Sequence, residues 1–226
     1  MLRKSTGNMY DWVTHTWNPI KGKCPHDCFY CYMKRWGEQK ELRLDEQEIR
    51  TNLGRGNFIF VGSGTDMFAE DIPSVWIERV LWKCNEHEHN RYLFQTKNPF
   101  RLIEISKDFP STSVFCTTIE TNRWINRAMG YAPHPFDRAF SFNKLRHEKY
   151  VTIEPIMDFD LQTFVQTIEM CEPVQVNIGA DSGGHNLPEP SADKVLELIE
   201  QLQKFTTVKL KKNLNRIIGK EIEDGN

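Results

Sequence analysis

Short β-rich apolar runs alternate along this chain with longer segments in which apolar residues recur at helical spacing. "FIFVGSG" (58–64) is followed by "VWIERVLWKC", where Val75, Trp76, Val80 and Leu81 are expected to share one face. "YLFQTK" leads into the proline-opened "PFRLIEISK", "SVFCTTIE" into "NRWINRAM", and "YVTIEPIM" into "LQTFVQTIEM"; "VQVNIGAD" leads into "SADKVLELIEQLQKF", before a last run, "TVKLKKNL". In the final helix Ser191 is the expected N-cap, and Val195, Leu198, Ile199 and Leu202 make an i, i+3, i+4, i+7 stripe. An opening strand at "THTWNPI" brings the strand count to about seven. Strand, helix, strand in repeated order predicts βαβ units with right-handed crossovers, and so an α/β fold with a parallel sheet, open or curled into a barrel.

Within each run the apolar stretch comes first and a polar residue closes it: Asp66, Lys97, Glu120, Glu154 and Asp181. Parallel strands place those ends on one rim, where ligands bind in such folds. Any one of them can also be read as the point where a strand meets water. The loop "KGKCPHDCFYCYMK" follows the first strand and belongs to the same rim, so its cysteines gain company that a lone loop would lack.

No internal repeat, low-complexity run or linker divides the chain, and 226 residues with 39% hydrophobic content suit one domain, 1–226, with a flexible tail expected over about 215–226. The formal net charge of −2 gives no overall basic field for nucleic acid. The N-terminus has no apolar signal region and no window approaches a membrane span, so the expected location is cytoplasmic, with no membrane partner. Thiols there stay reduced, and a tight cluster binds metal or does chemistry more often than it forms disulfides. Cys84, Cys116 and Cys171 sit alone in apolar surroundings and read as small buried hydrophobes.

Cys24, Cys28 and Cys31 form a triplet with no second pair. Structural zinc takes four ligands, so a Cys3His site would need His26 from within the loop, or a remote histidine such as His15, His87 or His89. A [4Fe-4S] cluster has four irons, each normally held by one thiolate, and three cysteines leave one iron open to a small molecule.

The spacing C-x3-C-x2-C with Tyr30 before the third cysteine resembles the signature of the radical S-adenosylmethionine (radical SAM) superfamily. The blocks "YDWVTHTWNPIKGKC", "FVGSGTDMFAEDIP", "FQTKNP", "TIEPIM" and "NIGADSGG" look like those of a small, phage-associated radical SAM family whose members mostly lack an assigned function. That family commonly has a longer insert before its second cysteine, and Glu where this chain has Asp181.

The resemblance implies a partial (β/α)6 barrel with helices outside, and a cluster loop over 22–33 in which Cys24, Cys28 and Cys31 hold a [4Fe-4S] cluster. An external one-electron donor of flavodoxin type would reduce it. Reductive cleavage of S-adenosylmethionine (SAM) would then give a 5′-deoxyadenosyl radical that abstracts hydrogen from substrate, for a rearrangement (isomerase) or modification.

The SAM ammonium needs acceptors, expected from "GSGTD", where Gly64 lets the backbone come close and Ser63, Thr65 and Asp66 offer oxygens. Thr118 and Glu120, on one side of their strand, are candidates for ribose and carboxylate. Tyr30 with Asn177 and Gly179 are candidates for an adenine slot. Glu154 and Lys97 are the candidate catalytic pair; Lys211 and Lys212 read as a solvated basic edge. Trp12, Trp17, Trp36, Trp124 and Arg123 offer surfaces able to stack on bases, and "KLRHEK" and "KLKKNLNR" are local basic segments able to contact phosphate, though such residues are more often core packing and solvated faces. The resemblance to the phage-associated family tips the expected substrate to a nucleotide, or hypermodified thymidine in phage DNA. The competing readings are a zinc-stabilised nucleic-acid-binding module, an iron-sulfur protein confined to electron transfer or redox sensing, and a radical SAM enzyme acting on a small metabolite or peptide.

Overall fold

The computed structural model describes residues 2–6 and 10–219. Its strands are β1 (Arg3–Lys4), β2 (His15–Trp17), β3 (Ile20–Lys21), β4 (Arg43–Leu44), β5 (Phe58–Val61), β6 (Arg91–Thr96), β7 (Ser113–Thr118), β8 (Glu148–Ile153), β9 (Gln175–Ile178) and β10 (Thr207–Leu210). Its helices are α1 (Glu46–Ile49), α2 (Ser74–Asn85), α3 (Pro99–Glu104), α4 (Asn126–Met129), α5 (Pro135–Asn143), α6 (Leu161–Met170), α7 (Ala192–Leu202) and α8 (Asn215–Ile218).

Among the described residues the main sheet runs β1-β2-β5-β6-β7-β8-β9-β10, parallel from β2 onward, with β1 antiparallel at one edge and β10 left open at the other. This is the expected α/β partial barrel. β3 and β4 form a separate antiparallel pair.

Alternation along each strand sorts its side chains into two columns. Ile59, Val61, Tyr92, Phe94, Phe115, Val151, Ile153, Val176 and Ile178 pack with the helices into the large core. The other column turns into the barrel. Low in the interior, Phe60, Leu93, Val114 and Cys116 pack on Tyr10 and Val13 of the N-terminal segment. Higher up, the same column supplies Gln95, Thr118 and Thr152, then Lys97, Glu154 and Lys211, all lining one cavity.

The helices start where local chemistry expects them. Asp45 accepts from Gln47 N and Glu48 N at the head of α1, Ser191 accepts from Lys194 N at α7, and prolines open α3 and α5. In α7 the expected stripe of Val195, Leu198, Ile199 and Leu202 is buried. In α2 the buried face is Ile77, Val80, Leu81 and Cys84, while Val75 is 56% exposed, so the face expected from Val75 is corrected by about one position. Helix α5 has no counterpart in the sequence reading. Its large apolar residues Phe136 and Phe140 face solvent and its buried face includes Arg138, so the stripe is masked.

Cys84, Cys116 and Cys171 are buried, as expected. Ile218 of α8 packs on the large core, and 220–226 of the expected tail lie outside the described residues. Among the described residues no helix is long and apolar enough to cross a membrane.

Leu81→Ala is expected to lower the unfolding free energy by about 2–5 kcal/mol, whereas Val75→Ala changes it by no more than about 0.5 kcal/mol. Urea unfolding followed by circular dichroism checks both.

Candidate active site

The chain leaving β2 is tied at once to the chain leaving β5. Gly62 N donates to Trp17 O at 2.9 Å, and Asn18 Oδ1 accepts from Gly64 N at 3.0 Å and Ser63 Oγ at 3.1 Å. The β3–β4 pair then closes the base of the loop that carries the cysteines, with Lys23 N donating to Lys40 O at 2.8 Å. Within it, successive turns run from Cys24 O to Asp27 N, Cys28 O to Cys31 N and Cys31 O to Lys34 N, into a 3-10 helix over Tyr32–Trp36. From behind, Phe29 N donates to Ala128 O and Tyr131 N to His26 O. Gly130 between them adopts φ +60°, and a Cβ there would lie 2.2 Å from His26 O. Only glycine fits that approach.

Cys24, Cys28 and Cys31 all line a cavity of about 870 Å³ at the carboxyl ends of the strands. Burial pushes the Cys24 thiol up to about 12 and the Cys28 thiol upward as well, so binding to a metal would release protons. The donor set fits a [4Fe-4S] cluster held at three corners. Cys84, Cys116 and Cys171 are not in the cavity wall, and His26 Nε2 is committed to Asp66 Oδ2 at 2.8 Å. Among the described residues no three His, Cys, Asp or Glu gather closely enough to hold a single ion; a cubane takes one thiolate per iron and needs no such convergence.

Asp66 is the junction of the rim. Besides His26, its carboxylate accepts from Thr96 Oγ1 at 3.0 Å, Lys97 N at 2.8 Å and Phe68 N at 3.0 Å. Burial alone would raise its carboxyl, but His26 and these donors hold it below the usual range. Thr65 Oγ1 donates to Gly22 O at 2.8 Å, and Tyr32 OH to Ser63 O at 2.7 Å. The "GSGTD" segment is thus bonded to the cysteine loop along its length, with Ser63 and Gly64 half-buried on the cavity.

Glu120 is fully buried beneath the cavity wall. It pairs with Arg138 of α5 at 2.8 Å, lies 3.7 Å from Lys97 Nζ, and accepts from Tyr30 OH. Arg138 also donates to Thr118 O at 2.9 Å. Lys97 Nζ sits 5.3 Å from the Tyr30 ring centroid; burial would lower its ammonium, but negative charge on Cys28, when ionised, and on Glu120 holds it above its ordinary value. Glu154 pairs with Lys211 at 2.7 Å, accepts from Asn213 Nδ2 at 2.9 Å, and packs against Gly179, where a Cβ would meet it at 2.8 Å.

Of the expected site residues, Cys24, Cys28, Cys31, Tyr30, Ser63, Gly64, Thr65, Asp66, Lys97, Thr118 and Glu154 line the cavity together. Glu120, Asn177 and Gly179 stand behind its wall. Lys211, read from sequence as a solvated edge, has a side chain only 15% exposed and faces the cavity, as do Tyr10, Gln95 and Thr152. Their signal was the two-residue step: Gln95 precedes Lys97, and Thr152 precedes Glu154, on the same strand face. The expected stacking set is also corrected. Trp17 is fully buried with Nε1 donating to Glu48 O, Trp12 lies against Tyr10 in the barrel base, and Arg123 is held by Asp158 and Asp160. Trp36, 72% exposed, remains at the cavity mouth.

A family model described as "Protein of unknown function (DUF5131)" matches residues 8–189. No curated protein matches. Among solved structures the chain is similar to a variant of spore photoproduct lyase with bound AdoMet and dinucleoside spore photoproduct, at TM-score 0.54 and 11% identity over 89% of this chain and 64% of that one. It is similar to another variant of that lyase at TM-score 0.58 and 13% identity, over 92% and 66% respectively, and to SuiB of Streptococcus suis at TM-score 0.47 and 12% identity, over 74% and 43%. The chain spans 64% of the length of the first lyase structure it matches. What the lyase shares at such identity is the fold, a partial barrel of the radical SAM type.

Replacing Arg138 by Met leaves Glu120 buried beside a weaker partner, with an expected loss of about 3–5 kcal/mol that Glu120→Gln in the same chain partly restores. Arg138 and then Lys97 outweigh the effect of burial and hold the Glu120 carboxyl below 4.5. Its contribution is therefore complete above about pH 4.5 and is lost as pH falls through the lower folded-state value. Urea unfolding across the acid range should give a flatter profile for Glu120→Gln than for the parent.

Proposed function

The chain belongs to the family described as Protein of unknown function (DUF5131), and from its partial-barrel fold and cysteine loop we propose that it is a radical SAM enzyme. The observation that carries this reading is the opening of three thiols, spaced C-x3-C-x2-C, onto one cavity at the carboxyl ends of parallel strands. Cys24, Cys28 and Cys31 would hold a [4Fe-4S] cluster, whose chemistry when bound is one-electron cleavage of SAM to methionine and a 5′-deoxyadenosyl radical that takes hydrogen from a substrate carbon.

The residues of this chain bind, orient and shield. Asp66 holds the cysteine loop through His26 and has both oxygens occupied, so Ser63 and the backbone about Gly64 are the acceptors offered to the SAM ammonium. Tyr30 is kept in place from below by Glu120, and Thr118 presents its hydroxyl on the same wall. Lys97 and Glu154 face the cavity as the charged groups set to orient substrate, each with a partner of opposite charge, Glu120 and Lys211. The low interior, filled by Leu93, Val114 and Phe60, excludes water beneath. The electron donor would be a small protein of flavodoxin type.

The substrate class we propose is a nucleotide or a base within nucleic acid. Trp36 with Arg35 and Tyr32 gives the mouth an aromatic and cationic lip suited to bases and phosphate. The lyase structure cited above binds a dinucleoside.

Anaerobic reconstitution should give brown protein with about four iron per chain that releases 5′-deoxyadenosine from SAM with dithionite. Cys28→Ala should abolish both cluster and product. Colourless protein holding about one zinc per chain would overturn the reading.

A further inference from the structure

The cysteine loop has two faces. Of residues 22–39, all but Pro25 and Phe29 line the main cavity. Phe29 is joined directly to Cys28 and precedes Cys31 by two residues, yet it stands outside the cavity wall and is 40% exposed. Arg127 of α4 lies over its ring, with Cζ 5.7 Å from the centroid, and the His185 ring meets it edge-on at 5.7 Å. Pro25 lines a second hollow of about 520 Å³ together with Tyr131, which is 83% exposed, so this hollow opens on the outside of the loop. His26 lies between the two cavities.

Behind this outer face the cover over the thiols is thin. Phe29 N donates to Ala128 O at 3.0 Å, and Cys28 Sγ lies 3.5 Å from Met129 O. The short helix that presents Arg127 to solvent therefore touches Cys28 with its inner side, and Cys28, Tyr30, Ala128 and Met129 pack as one small apolar cluster. The exposed charge about Phe29 is mainly positive. Lys23 and Lys34 share the single carboxylate of Asp27, at 3.3 and 2.9 Å, which leaves one positive charge over. Among the described residues no carboxylate pairs with Arg127. The whole chain carries −2, so this surplus is a local feature. On the far wall of the hollow Glu70 and Asp71 carry the opposite sign.

We infer that the outer face centred on Phe29 and Arg127 is where an acidic flavoprotein docks to deliver electrons; the inference rests on the enzyme reading above. Electron transfer weakens steeply with distance, so a donor has to sit where the shell over the thiols is thinnest. The inner side of the loop is given to SAM and substrate, and the outer side is free. An acidic rim on the donor meets Arg127 and the surplus charge of Lys23 and Lys34, while the apolar edge of its flavin meets the Phe29 ring. Glu70 and Asp71 repel that rim from one side, which sets the donor's orientation. One electron leaves the flavin and enters the bound cluster, with no bond made or broken. Because the mouth stays open, donor and substrate can occupy the enzyme together.

The probe is a recombinant bacterial flavodoxin. Its binding to the reconstituted enzyme and to the protein as purified is measured by anaerobic calorimetry, and electron delivery by stopped-flow oxidation of the reduced flavin. Arg127→Glu and Phe29→Ala are each expected to weaken binding and slow delivery about tenfold. Lys107→Glu, the same charge change on an exposed residue ahead of β7, should stay within about twofold of the parent. Added salt should weaken the parent more than Arg127→Glu. Iron content and 5′-deoxyadenosine release with dithionite, which needs no docking, should match the parent in all three. No binding of flavodoxin to the parent, an effect below about twofold in either variant that holds its full iron, or an equal loss in Lys107→Glu overturns the inference. Should Phe29→Ala fail to take up iron, Arg127→Glu decides alone. Failure of cluster assembly or of the dithionite reaction in the parent sinks the enzyme reading instead, and the docking face is still read by flavodoxin binding to the purified protein.

Discussion

The position of the cysteine loop depends on one buried carboxylate. Asp66 stands at the end of the turn after β5 and gathers donors from three directions: His26 inside the loop, Thr96 and the Lys97 amide at the end of β6, and Phe68 in its own turn. A charge so enclosed is tolerable because four groups bond to it, His26, Thr96 and the Lys97 amide at Oδ2 and the Phe68 amide at Oδ1. The same contacts fix the loop relative to two adjacent strands, so the thiols share a frame with Lys97 and with the strand ends beyond it. Gly130 makes the complementary contact from behind, where it is close enough to His26 to leave no room for a side chain.

Most of this arrangement was visible in the order of residues, because parallel strands convert sequence position into height. The runs ending in Asp66, Lys97 and Glu154 placed those residues on one rim, and the cavity wall contains all three. What strand order does not encode is which side chain answers which. Glu154 meets Lys211, just past the end of β10, and Glu120 meets Arg138 from a helix whose exposed phenylalanines hid its period. Trp17 shows the same limit: a tryptophan next to the cysteine loop reads as a stacking surface, yet its place at the end of β2 buries it completely. Partners distant in sequence are a property of tertiary packing, and no local pattern carries them.

Inside the barrel, composition changes with height. The lowest layer is apolar, the next is hydroxyl and amide, and the uppermost is charged and meets the thiols. Each step follows a two-residue advance along strands that otherwise look uniformly apolar, because the outward column (Val61, Phe94, Phe115, Ile153, Ile178) dominates their hydrophobicity. Spore photoproduct lyase shares this fold at only 11–13% identity, so the likeness extends to the architecture and not to the residues that line the cavity.

The base of the cysteine loop is a narrow neck. Gly22, at φ +118°, passes so near Glu41 that a Cβ would stand 2.4 Å from its carbonyl oxygen, and the β3–β4 ladder closes just below. The chain between is closed at its base yet tied to the strand ends it crosses, by His26 to Asp66, Thr65 Oγ1 to Gly22 O and Tyr32 OH to Ser63 O. Lengthening a closed loop costs only about 0.6 kcal/mol for each doubling of its contour. Insertions that fall between those ties and leave them intact are therefore among the cheapest variations this architecture permits, whereas a change at a tie moves the thiols relative to the cavity.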